Sequence, residues 1–217
     1  MPYKAIIFDL DGTLLDTIED LARSFNTVVQ SRGFPTFSVA DYKLFVGKGA
    51  ENVIRNIIPE DSLTENLVKV CLAEFRVTYS LGFQINTKPY PHIPELLQIL
   101  TEKRIAFAVL SNKPHEDTVE CVRHFFPYIS FKTVLGQKTG TPLKPDPQST
   151  LHMLRNMQVT PPASLFLGDS GVDMQTAVNA GVFPVGALWG FRSEQELIQY
   201  GAKKLISDPL ELADLFI

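Results

Sequence analysis

Ala5-Ile6-Ile7-Phe8-Asp9-Leu10-Asp11-Gly12-Thr13 decides the architecture. Four apolar residues in a row, with no polar alternation, read as a short strand buried on both faces. The run breaks at Asp9, so two carboxylates one residue apart stand at the strand's end, with a glycine after them. A strand of this kind belongs in the middle of a parallel sheet. Working outward, Ile105 to Leu110 is a second such run and stops at Ser111. Ser164 to Leu167 is another and stops at Gly168-Asp169, while Thr133 to Leu135 and Val182 to Ala187 are weaker strand candidates. Helical spacing of apolar residues covers Ile93 to Lys103 and Pro147 to Met157. Alternating strands and helices predict an α/β fold, a doubly wound parallel sheet with helices on both faces.

One stretch breaks the alternation. Nearly a hundred residues separate the first two strong strands, far more than the dozen or so that a crossover needs. Asp16 to Val29, Ala50 to Ile58 and Thr64 to Tyr79 carry amphipathic helical patterns. The expected organisation is therefore an α/β core of residues 1–15 and 86–217 and a helical cap of residues 16–85. The return through Asn86-Thr87-Lys88-Pro89-Tyr90-Pro91 has two prolines, as suits a stiff hinge.

The bulk composition narrows the function classes. The chain has 217 residues, 45% hydrophobic and 20% charged, with a net charge of -4. That balance argues against a protein that coats nucleic acid with a basic face. No apolar run approaches the roughly 18 residues of a membrane span. Met1-Pro2-Tyr3-Lys4 leads straight into the first strand, so no cleaved leader is expected, and a cytoplasmic location is the default. Cys71 and Cys121 lack metal or redox spacing and read as reduced, partly buried thiols. A monomer or homodimer is expected.

In an open parallel sheet, ligands bind beyond the carboxyl ends of the strands. This sheet would bring Asp9 to Thr13, Ser111-Asn112-Lys113 and Gly168-Asp169-Ser170-Gly171-Val172-Asp173 to one edge, with Lys144-Pro145 nearby. Cleaving a phosphate ester needs a nucleophile, a proton for the leaving oxygen and cations to neutralise the phosphoryl group. Asp9 and Asp11 are paired carboxylates for the first two tasks. Gly12 lets the backbone approach a phosphate, whose oxygens neighbouring N–H groups would cradle. Clustered Asp9, Asp169 and Asp173 would repel one another unless a hard cation sat among them, and oxygen ligands point to Mg2+. Lys144 would neutralise charge on the nucleophile, and Ser111 would donate to a phosphoryl oxygen.

Together, Asp9-x-Asp11-Gly12-Thr13, Ser111-Asn112, Lys144-Pro145 and Gly168-Asp169-x-x-x-Asp173 resemble the four ordered motifs of the haloacid dehalogenase superfamily. The resemblance covers essentially the whole chain, including a helical insert in the position of the C1-type cap. It implies Asp9 as nucleophile and metal ligand. Asp11 would be the acid that protonates the leaving alcohol and the base that then activates water, its carbonyl binding Mg2+. Asp169 would be a direct metal ligand, with Asp173 supporting the metal through water, and Lys144 the charge-neutralising lysine. Thr13, Ser111 and Asn112 would hold the phosphoryl group. An acid at Asp11 separates the chain from the superfamily's dehalogenases and phosphonatases, which lack it. Within the superfamily, Leu14-Leu15-Asp16-Thr17, Val46-Gly47-Lys48-Gly49-Ala50, Gly168-Asp169-Ser170 and Trp189-Gly190-Phe191-Arg192 look most like phosphoglycolate phosphatases and their pyrophosphatase relatives. Gly171-Val172 departs from the polar or basic residue many of them carry there.

Each residue also has a plainer reading. Asp173 suits the cap of the following helix, Ser111 a turn cap and Asn112 a turn. Lys48 either meets a second charged group of the substrate or is a solvated turn lysine, and Arg55 reads as an exposed helical charge. The expected substrate is a small phosphorylated metabolite, 2-phosphoglycolate first. A β-phosphoglucomutase-like sugar-phosphate phosphomutase and a pyrophosphatase are the alternatives in the same fold. A catalytically idle phosphate-binding regulatory module is the alternative of another class, and it predicts loss of Asp9, Asp11 or Lys144, all of which are present.

Overall fold

The structure, a computed structural model, describes residues 3–216. In chain order it contains β1 (Ala5–Phe8), β2 (Leu15–Asp16), α1 (Ile18–Gln30), α2 (Val39–Phe45), α3 (Ala50–Ile57), α4 (Glu65–Ser80) and β3 (Lys88–Pro89). There follow α5 (Ile93–Glu102), β4 (Ala106–Pro114), α6 (His115–Phe125), β5 (Val134–Gln137), α7 (Gln148–Asn156) and β6 (Ser164–Gly168). The chain closes with α8 (Gly171–Ala180), β7 (Phe183–Ala187), α9 (Glu194–Gln199), β8 (Lys204–Ile206) and a 3-10 segment over Pro209–Phe216.

Six strands form one sheet in the order β5-β4-β1-β6-β7-β8. Every pairing in it is parallel, so all six carboxyl ends share one edge. The side-chain period of two splits the central strands cleanly. Ile6, Phe8, Phe107, Val109, Leu165 and Leu167 enter one apolar cluster with Leu96 and Leu100 of α5. Ile7, Ala108, Leu110 and Phe166 enter another with Met153 and Leu154 of α7 and Ala177 and Ala180 of α8. Burial on both faces explains why β1 carries no polar residue. Strand order reverses beside β1, the place where an open sheet leaves a crevice for ligands.

β4 is longer than its apolar run predicts. It does not stop at Ser111 but continues to Pro114, which pairs with Gln137 after an irregularity beyond Leu110. Ser111, Asn112 and Lys113 therefore stand on the strand itself. Several elements fall outside the expected segments: α6 and α9, the two-residue strands β2 and β3, α2, which buries only Tyr42, and β8, which has three residues.

Four helices, α1 to α4, lie between β2 and β3. β2 and β3 pair antiparallel, Leu15 with Pro89 and Asp16 with Lys88, so the outgoing and returning chains run side by side. Phe25 of α1 stacks on Phe75 of α4 at 3.8 Å between centroids, and Phe75 on Tyr79 at 5.6 Å. Just past the ribbon, the fully buried Asp20 of α1 gathers the return segment. Its Oδ2 accepts from the amides of Asn86 (2.9 Å) and Thr87 (2.8 Å) and from Thr87 Oγ1 (2.9 Å). Its Oδ1 accepts from Asn86 Nδ2 (3.0 Å) and Arg23 (3.3 Å).

Candidate active site

Asp9 leaves β1 with its amide bonded to Leu167 O at 2.9 Å. The chain then turns tightly: the amides of Thr13, Leu14 and Leu15 all point back to Leu10 O. Gly12 has φ +89, and a Cβ there would lie 2.3 Å from Asp169 Oδ2. Both the backbone angle and the contact require glycine. Gly190 closes on the same carboxylate from the far side, where a Cβ would lie 2.2 Å from Asp169 Cβ.

Lys144 Nζ sits between two carboxylates, 2.6 Å from Asp9 Oδ1 and 2.6 Å from Asp173 Oδ1. Asp173 Oδ2 accepts from Ser170 N (3.1 Å) and Ser170 Oγ (2.5 Å), which fixes the start of α8. Asp169 Oδ2 accepts from Phe191 N at 2.7 Å and Oδ1 from Thr13 Oγ1 at 3.3 Å. Asp9, Asp169 and Asp173 are buried and each offers a carboxylate oxygen within 4.8 Å of the others. Three carboxylates against one ammonium leave an excess of negative charge out of water. Burial and the neighbouring Asp173 push the Asp9 carboxyl well above the usual range, against the pull of Lys144. Burial and Asp173 likewise push Asp169 up to about 7. Burial would deprotonate Lys144, but Asp173 and Asp9 outweigh it and hold its pKa up. An oxygen-only donor set with surplus negative charge fits a hard divalent cation. Of the three, Asp173 is the most tightly engaged, by Lys144 at 2.6 Å and Ser170 Oγ at 2.5 Å, and all three carboxylates stand as candidate donors.

The remaining predicted residues take definite places. Asp11 meets Lys113, whose Nζ lies 2.9 Å from Oδ1 and 3.3 Å from Oδ2. Ser111 Oγ accepts from Lys113 N at 3.2 Å. Asn112 works as a bracket: Oδ1 accepts from Lys144 N (2.8 Å), and Nδ2 donates to Lys144 O (3.1 Å) and Gly47 O (3.0 Å). Lys48 is exposed, while its neighbours Gly47 and Gly49 line the cavity. Arg55 is paired with Glu51 and Glu65 on the outside of the helical unit.

Asp9, Asp11, Ser111, Asn112, Lys144 and Asp169 line a cavity of about 50 Å3 under the helical unit, while Lys48, Arg55, Thr13 and Asp173 lie outside its lining. Asp9, Asp11, Ser111 and Lys144 form the floor, and Phe25, Val53, Phe75 and Tyr79 bring an apolar wall from α1, α3 and α4. Two cations lining this cavity, Lys113 of β4 and Arg192 of the loop after β7, have no role assigned from the sequence. Lys113 follows Ser111 by two positions on an extended strand, so the two share a face; that signal is hidden if the strand is ended at Ser111. Arg192 donates to Lys43 O, to Leu44 O (2.9 Å) and to Val46 O (2.8 Å), clasping the end of α2. The same loop holds Thr13, because Trp189 Nε1 donates to Thr13 O at 3.0 Å.

Comparison with known proteins agrees with this arrangement. Residues 6–187 match the family model described as haloacid dehalogenase-like hydrolase. A phosphoglycolate phosphatase of Aliivibrio fischeri is 30% identical over 210 residues, covering 94% of this chain and 92% of that protein. A phosphoglycolate phosphatase of Pseudomonas putida is 29% identical over 209 residues, covering 94% of this chain and 76% of that protein. The crystal structure of a candidate phosphoglycolate phosphatase of Lactobacillus delbrueckii subsp. bulgaricus superposes with a TM-score of 0.91 at 32% identity, covering 100% of this chain and 99% of that one.

Proposed function

The chain belongs to the haloacid dehalogenase-like hydrolases, and we propose that it hydrolyses a small phosphate monoester through an aspartyl-phosphate on Asp9. The carrying observation is the pairing of Asp9 with the buried Lys144 at 2.6 Å, beside Asp11, on the floor of a covered cavity. An Asp9 oxygen forms a bond to phosphorus as the ester P–O bond breaks. The electron pair stays on the leaving oxygen, which takes the proton of the Asp11 carboxyl. Water then attacks phosphorus, gives a proton to Asp11, and the acyl-phosphate bond breaks to return the Asp9 carboxylate and release orthophosphate. Lys144 draws the Asp9 carboxyl toward the anionic form that the attack needs, against burial and Asp173, and is itself held in place by Asp173. Mg2+, held by Asp9, Asp169 and the Asp11 carbonyl, would neutralise the phosphoryl oxygens.

The apolar wall from α1, α3 and α4 excludes bulk water, which strengthens each of these charge interactions and protects the intermediate. With relatives named for it, 2-phosphoglycolate is the first substrate to test. The experiment is phosphate release with and without Mg2+, for wild type and Asp9→Asn, over 2-phosphoglycolate, sugar phosphates and pyrophosphate. Turnover is expected to need Mg2+ and to vanish in Asp9→Asn, because the amide keeps the shape but is no nucleophile. Wild-type turnover by the variant would refute the assignment.

A further inference from the structure

We propose that Lys113 is a positioning residue for the acid/base carboxyl of Asp11, and that the Tyr79 ring makes this positioning depend on the helical unit being seated over the sheet. The inference rests on the proposed phosphatase reading and adds the device that aims its proton donor.

Three observations converge. First, one ammonium spans both oxygens of Asp11, at 2.9 and 3.3 Å, and the side chains are only 4% and 11% exposed. A cation placed across both oxygens fixes where the carboxyl points, not merely its charge. Lys144 cannot share this task, since it is committed to Asp9 and Asp173. The two lysines therefore divide the two catalytic carboxylates between them.

Second, Lys113 is rigid at its root. It stands on β4, its amide donates to Ser111 Oγ, and its carbonyl accepts from Thr118 Oγ1 at 3.2 Å. A Cβ at Gly136 would lie 2.6 Å from that carbonyl, so β5 backbone presses directly against it. A side chain with a fixed root and two fixed contacts is preorganised.

Third, the ammonium has a lid from the other side of the cavity. Lys113 Nζ lies 4.3 Å from the centroid of the Tyr79 ring. Tyr79 belongs to α4, is 1% exposed and stacks on Phe75. An aromatic face attracts a cation most strongly when water is excluded. If the helical unit lifts, Tyr79 leaves with it and water reaches the ammonium. The pair is then screened and Asp11 is no longer held. The carboxyl is thus aimed at the leaving oxygen only while the cavity is covered.

The test separates aiming a proton from simply holding the fold. An alkyl phosphate needs a proton on its leaving oxygen, whereas p-nitrophenyl phosphate expels a stable phenolate without one. First-turnover rates are measured by rapid mixing for both esters, in wild type, Lys113→Met, Lys113→Arg, Tyr79→Phe and Tyr79→Leu. General-acid catalysis contributes about 100- to 10,000-fold. The alkyl ester is therefore expected to slow at least about tenfold more than the aryl ester in Lys113→Met. Lys113→Arg should recover part of that difference. Tyr79→Leu should reproduce it, and Tyr79→Phe, which keeps the ring face, should not. Equal slowing of both esters in Lys113→Met would overturn the inference. Should Lys113→Met not fold, the tyrosine pair decides, and indistinguishable Tyr79→Phe and Tyr79→Leu enzymes would overturn it. Wild type inactive on both esters, or Asp9→Asn fully active on both, would sink the phosphatase reading and this inference with it.

Discussion

Asp169 is held in place by glycine on both sides, by the Phe191 amide and by Thr13, yet its charge is poorly compensated. Burial and Asp173 raise its pKa from the ordinary aspartate value to about 7. A carboxyl of raised pKa binds its proton more tightly in the folded chain than in the unfolded one. The stability it lends is complete below the unfolded value of about 3.9 and is lost as pH climbs through about 7. In EDTA, the protein should therefore melt at a lower temperature near about pH 8.5 than near about pH 5.5, and Asp169→Asn should flatten that slope. A melting curve that rises between those two values would contradict the charge assignment. At this scale the sequence was informative, because strand-end carboxylates next to Gly12 and Gly168 are local signals. Arg192 was hidden, because its carbonyl partners lie 146 to 149 residues earlier in the chain. Lys113 was placed at the sheet edge but given no role, because nothing local shows that β4 runs on past Leu110 and turns this side chain to the site of Ser111.

Among the elements, the β2–β3 ribbon and the Asp20 cluster define where the helical unit joins the sheet. Burial alone would raise the Asp20 pKa, but the donors of Asn86 and Thr87 outweigh it and lower it. The carboxylate is thus a structural hub that ties α1 to the return segment. Asp20→Asn turns one accepting oxygen into a donor facing other donors. It should cost about 1–3 kcal/mol, seen as a lower urea midpoint. A midpoint unchanged from wild type would show that the hub adds no stability. The elements that were legible share one property: β1, β4, β6, α1, α3 and α4 each present an apolar stripe or run. α2 was missed since only Tyr42 of its seven residues is buried, and its ends rest instead on the Ser38–Asp41 capping pair and the Arg192 clasp. Short edge strands such as β8 carry too few residues for a pattern to register.

Taken whole, the molecule closes on itself around the seam between sheet and helices. A single apolar cluster includes Phe8 of the sheet, Leu14 of the turn after β1, Phe25 and Tyr79 of the helical unit and Ile93 of α5. Its exposed area of 10418 Å2 is close to the roughly 10,000 Å2 expected of a folded monomer of this mass. The charge surplus at the seam is the exception, and binding a dication should stabilise the entire chain. At about 100 times its dissociation constant, Mg2+ should add about 2.7 kcal/mol, or about 5–10 °C in melting temperature. Asp169→Asn should abolish most of that shift. A wild-type melting temperature indifferent to Mg2+ would remove the cation from the site.

The loop from Trp189 to Arg192 has one more consequence. Trp189 is the chain's only tryptophan. Its indole N–H donates to Thr13 O in the turn after β1, and its ring lies 6.4 Å from Tyr90, beside the return ribbon. All tryptophan emission therefore originates at one point, between the site where phosphate would settle and the joint on which the helices would swing. The protein carries its own optical gauge, and stopped-flow fluorescence can time loading and covering of the site with no label attached.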